Sequence, residues 1–121
     1  MRKYSDNKIK MELWLSSKDK EMLKTYSESI ISYDEYKTND TRTANMSIVV
    51  RYIMNLLLTG KIVLPENDQP VFQKYRNSKR YRPIVYKDER DKFLIFCKEK
   101  GYAPYQAILY VIKNIDINKY I

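Results

Sequence analysis

The side chains that carry most bond-making chemistry are scarce in this chain. It has no histidine and one cysteine, Cys97, in 121 residues. Adjacent acids occur at Asp34-Glu35 and at Asp88-Glu89. They suit a loop and a helix start, where carboxylates meet the positive end of the helix dipole. No glycine-rich loop and no metal-ligand spacing accompanies them, so no catalytic residue, metal or cofactor is expected. Cys97 lies beside Phe93 and Phe96 on an expected helix, and reads as a small buried apolar residue rather than a nucleophile. A lone cysteine forms no intrachain disulfide and suits a reducing compartment. What remains is charge. The formal net charge is +8 with a pI of about 9.5, which points to an anionic partner, nucleic acid or a membrane surface. The excess is concentrated in the first twenty residues and again at Lys74, Arg76, Lys79, Arg80 and Arg82, where no acid intervenes. Both basic stretches run into alternating segments. Pairing of those segments would bring the positive regions together.

Those segments belong to two units of similar order. In the first, Ile9, Met11, Leu13 and Leu15 alternate with Lys10, Glu12, Trp14 and Ser16, the period-2 signature of a half-buried strand over Ile9–Leu15. Ser16 or Ser17 then caps a helix running to about Tyr33, with Met22, Leu23, Tyr26, Ile30 and Tyr33 as its apolar stripe. Asp34–Arg42 reads as a loop. A helix from about Thr43 to Thr59 follows, apolar on nearly all sides, with Thr41, Thr43 or Asn45 as its cap and Gly60 as its stop. The second unit has a strand at Arg80–Val85 that contains Pro83, which cannot donate to a ladder, so the strand must be irregular or Pro83 must sit at a non-bonding place. A helix over about Tyr86–Lys100 carries Phe93, Leu94, Phe96 and Cys97 as its apolar side and ends at Gly101. Pro104 opens a last helix to Ile115, with Ala107, Ile108, Val111, Ile112 and Ile115 on one face. The expected organisation is a first unit over 1–60, a connector over 61–79 and a second unit over 80–121. A lone strand with two short helices cannot close a core; two such units can, with strand paired to strand, and hydrophobic residues at 44% supply the material.

The order Val85 to Gly101, then Tyr102-Ala103-Pro104-Tyr105-Gln106-Ala107-Ile108 and Val111-Ile112, resembles the ribbon-helix-helix family of Arc and MetJ type repressors. Met11-Glu12-Leu13-Trp14-Leu15, Met22-Leu23 with Tyr26, and Arg42-Thr43-Ala44-Asn45-Met46-Ser47-Ile48 are similar to the same pattern in the first unit. That unit departs from it by lacking the turn glycine and by carrying extra residues between its helices. The two resemblances cover about 90 of the 121 residues. They imply a mostly α protein with short β: tandem ribbon-helix-helix units, with a two-stranded antiparallel ribbon backed by four main helices. In that family the ribbon enters the DNA major groove, alternate strand residues read base edges, and the start of the second helix meets phosphate. Carried over, the base-reading residues are Lys10, Glu12, Trp14, Arg80, Arg82 and Ile84. Arg80 and Arg82 suit guanine O6 and N7, Lys10 suits guanine or phosphate, Glu12 suits cytosine N4, and Ile84 suits a thymine methyl. The phosphate residues are Thr43, Asn45, Lys74, Arg76, Lys79, Tyr105 and Gln106.

The implied function is sequence-specific binding of double-stranded DNA, as a regulator on a plasmid or mobile element or as an accessory factor for DNA transfer (a relaxosome component). The alternative is a protein–protein interaction module, antitoxin-like or an adaptor, without sequence-specific DNA binding. Expected partners are double-stranded DNA, further copies of the chain on repeated sites, and a relaxase or other protein. The polar start, Met-Arg-Lys-Tyr-Ser-Asp-Asn-Lys, has no leader character, and no apolar run reaches membrane-span length; a soluble, cytoplasmic protein is expected.

Overall fold

The computed structural model describes residues 8–30, 45–66 and 79–120. These described residues are mostly helical, with four α-helices and two short antiparallel strand pairs. The strands are β1 (Lys8–Lys10), β2 (Leu13–Leu15), β3 (Lys79–Tyr81) and β4 (Ile84–Tyr86). The helices are α1 (Ser17–Ile30), α2 (Asn45–Leu58), α3 (Lys87–Lys100) and α4 (Pro104–Asn114). A short 3-10 helix at Ile117–Tyr120, beyond the expected end of the last helix at Ile115, closes the described chain.

Each expected strand is split in two, and the register explains why. β1 pairs with β4 and β2 with β3, and the numbers of every facing couple add to 94. One register therefore runs through both pairs, with Met11 facing Pro83 and Glu12 facing Arg82 in the gap. Met11 donates its N–H to the Pro83 carbonyl at 3.0 Å. That couple occupies a hydrogen-bonded place in the ladder, where the partner would normally donate back. Proline has no N–H to give, so the rung is half made and the regular ladder stops on either side of it.

The inner face of this ribbon carries Met11, Leu13, Leu15 and Val85, all buried. They join Leu23 of α1, Phe93 of α3, and Ile48, Val49, Ile53, Ile108 and Ile112 of α2 and α4 in one core. Burying each such side chain contributes on the order of 1.5–3 kcal/mol before conformational entropy is set against it. α2 is buried from Ser47 to Met54 without a break, as its all-round apolar sequence predicts. α3 is less covered than its sequence suggests. Phe93 and Cys97, one turn apart, are buried, whereas Leu94 lies off that line and is exposed.

The helix ends follow local chemistry. Ser16 Oγ accepts the Asp19 N–H at 3.1 Å, and an Asp19 carboxylate oxygen accepts the Ser16 N–H at 3.0 Å, a reciprocal capping box at the start of α1. At the end of α3, Gly101 takes φ 79°. Its N–H reaches the Lys98 carbonyl, and the Tyr102 N–H reaches that of Cys97 at 2.8 Å, which is a Schellman closure. After α2, Ile62 and Leu64 turn inward and Val63 outward, so this apolar run packs as an extended patch. Among the described residues no helix is long and apolar enough to cross a membrane.

Candidate nucleic-acid interface

The ribbon's outer face gathers the side chains expected to read bases. Alternation sends residues 8, 10, 12 and 14 outward from one strand, and 80, 82, 84 and 86 from the other. The register then sets Lys10 opposite Ile84, Glu12 opposite Arg82, and Trp14 opposite Arg80. These are non-hydrogen-bonded couples, in which side chains stand closest together. The six residues thus form three adjacent rungs on one side of the molecule. Lys10, Glu12, Arg80 and Arg82 are exposed; Ile84 and Trp14 are half-buried, and Trp14 rests partly against the core. The indole therefore has an apolar footing while keeping part of its ring on the surface.

Two further features of this face were not singled out in the sequence. Lys8 is exposed and continues the outward series from Lys10 by one step of two, a signal that was present in the alternation. At the same end Tyr86 also points outward by parity, yet it is buried because Arg51 of α2 lies over its ring, 4.5 Å from the centroid. The open face is consequently bounded at the Tyr86 end.

Electrostatics tie the centre of the face together. Glu12 Oε1 accepts from Arg80 Nη1 at 2.9 Å and from Arg82 Nη2 at 3.4 Å. The three side chains are 46–52% exposed, so the contacts are screened and worth about 0–1 kcal/mol. They orient the guanidinium groups without locking them. Lys79 is exposed at the ribbon's end, beside this cluster in sequence.

The start of α2 lies against the ribbon, and α4 also contacts it. Ser47, in the first turn of α2, accepts the Ile84 N–H on its Oγ at 2.9 Å. This satisfies a strand group that points away from the partner strand and fixes α2 beside β4. α4 packs against β2. Within α4, Gln106 turns its side-chain carbonyl back to the Ala103 N–H at 3.3 Å, supplying half a capping box where Ala103 has no oxygen to offer. Tyr105, expected at phosphate, is instead buried in the core, because its position on α4 faces inward with Ile108 and Ile112. Asn45 opens α2. Thr43, Lys74 and Arg76 lie outside the described residues, as do the expected loop at 34–42 and the continuation of α1 to Tyr33.

Among the described residues no group of three His, Cys, Asp or Glu side chains is placed to hold a metal ion. Burial pushes the Cys97 thiol up to about 12. No family model matches the chain, and comparisons with curated proteins and with solved structures return no match.

Proposed function

We propose that this chain is a sequence-specific double-stranded DNA-binding protein of tandem ribbon-helix-helix type, which reads the major groove with its β-ribbon. The observation that carries the reading is the outer ribbon face. Lys8, Lys10, Arg80 and Arg82 stand there with a single acid, Glu12, on a two-stranded ribbon, an element that the major groove admits. The first turn of α2, tied to β4 through Ser47, lies beside this face, and a helix start is a common phosphate contact. As a biological role we favour a regulator on a plasmid or mobile element, or an accessory factor for DNA transfer that assists a relaxase. A second reading, an adaptor that binds another protein, draws on Leu94 and Ile95, which are 39% and 61% exposed on α3.

Titration of selected duplexes at several salt concentrations separates the two. DNA binding predicts a log–log slope of about −0.9 per phosphate neutralised, and a flat dependence favours the adaptor. In the same assay Arg82→Ala is expected to weaken specific binding by about 1–3 kcal/mol and to relax preference at one base position. Unchanged affinity and preference would remove Arg82 from the reading surface. Arg82 is exposed and outside the core, and thermal unfolding of the variant checks that the fold is kept.

A further inference from the structure

Glu12 and Arg82 hold a place in the ribbon that no other couple shares. α1 and α3 have the same length and begin seventy residues apart, at Ser17 and Lys87. The same offset matches buried Leu15 to Val85, Leu23 to Phe93 and Ser27 to Cys97. It also matches Glu12 to Arg82, and these two face each other in the register. The local two-fold of the ribbon therefore passes between them. On either side the equivalents keep their chemical kind: Lys10 corresponds to Arg80, and Trp14 to Ile84. Each end of the face offers one cation and one large apolar group. Only at the centre is the charge opposite.

We infer that the Glu12–Arg82 couple reads a single G·C base pair at the centre of the DNA site, and so gives the site a direction. This rests on the major-groove reading proposed above. In that groove a G·C pair presents two acceptors, guanine N7 and O6, beside one donor, the cytosine N4 amino group. A guanidinium fork beside a carboxylate presents the complement, donors next to an acceptor. An A·T pair presents acceptor, donor, acceptor, which does not match. Two arginines on the local two-fold would each ask for guanine at one base pair, which pairing cannot supply. Arginine with glutamate asks for guanine on one strand and cytosine on the other, which pairing does supply. Glu12 receives both arginines on Oε1, and a carboxylate has a second oxygen with which to take an amino donor. The contacts are surface-exposed and weak enough to be exchanged on binding.

The test begins by selecting duplexes from a random pool with the wild-type protein. The consensus is then remade with each of the four base pairs at its centre and unchanged flanks. G·C in one orientation is expected to outcompete the other three, its own reversal included, by about tenfold. In Glu12→Gln the ranking is expected to collapse, because an amide donates as well as accepts. Equal wild-type affinity for all four centres overturns the inference, as does an unchanged ranking in Glu12→Ala, and either result leaves DNA binding standing. Failure of the wild-type protein to select any consensus overturns the DNA reading itself. The wild-type comparison decides without relying on the folding of a variant.

Discussion

Cys97 shows how a single side chain reports on the fold around it. The thiol is 1% exposed between α3 and the core, and desolvation of the thiolate raises its titration from the ordinary 9.0 to about 12. The folded form thus holds its proton over a range where the unfolded chain releases it. The contribution to stability is complete below the unfolded value and is lost as pH climbs from 9 toward 12. At neutral pH the prediction is that a thiol reagent labels Cys97 only at the rate at which the core opens. Labelling followed against denaturant tests this, and fast labelling under native conditions would mean that the α3 interface is open. Arg51 is the other informative residue. It is the one charged side chain in the sequence of α2 and is 8% exposed among apolar neighbours. Its partner's identity was not legible, because Glu89 lies on a different helix; the Glu89 Oε2 is 3.8 Å from Arg51 Nε.

At the scale of elements, capping decides where α1 begins. Ser16→Ala removes the oxygen that accepts the Asp19 N–H and is expected to destabilise the protein by about 1 kcal/mol, read from denaturant midpoints. Ser16→Asp, which keeps an acceptor at that place, should retain most of the stability; equal losses in both variants would deny the cap its role. Much of this level could be read beforehand. Alternation assigned Met11, Leu13 and Leu15 to the core, and the helical stripes identified Leu23, Phe93 and Ile108. Pro83 was marked as incompatible with a regular ladder, but its effect on the opposite strand followed only from the register, which couples it to Met11. Apolarity alone groups Leu94 with Phe93, Phe96 and Cys97, whereas burial on α3 follows the four-residue step from Phe93 to Cys97. For the outer face, strand parity was enough to group Lys10, Glu12 and Trp14, and Arg80, Arg82 and Ile84. Which of them stand opposite one another depended on the long-range pairing, and the Glu12 contacts depended on it in turn. Tyr105 is placed at phosphate by the family resemblance alone, whereas its three-residue step to Ile108 puts it on the buried face of α4.

At the scale of the whole molecule the two halves are interlocked rather than adjoined. Residues 8–15 pair with 79–86. Lys113 of α4 reaches Asp19 of α1 at 3.8 Å, as Arg51 of α2 reaches Glu89 of α3. The Tyr26 hydroxyl on α1 donates to the Ile115 carbonyl after α4 at 3.3 Å. Neither half closes its core without the other, so unfolding is expected to be one cooperative transition. Leu13→Ala and Phe93→Ala, one on each side, should each lower that single transition, by about 2–5 kcal/mol, without separating it into two. Differential scanning calorimetry provides the check, and a second resolved peak in either variant would show that the halves are independent.

The Glu12–Arg82 couple also bears on which strands can mate at all. Were the first strand to meet a copy of itself in the same register, glutamate would face glutamate; two copies of the second would bring arginine against arginine. Directly opposed like charges disfavour a strand pair, whereas opposite charges support it by about 0.2–1 kcal/mol. The rung at the middle of the ribbon therefore acts as a mating rule, by which each half discriminates against its own kind and accepts the other.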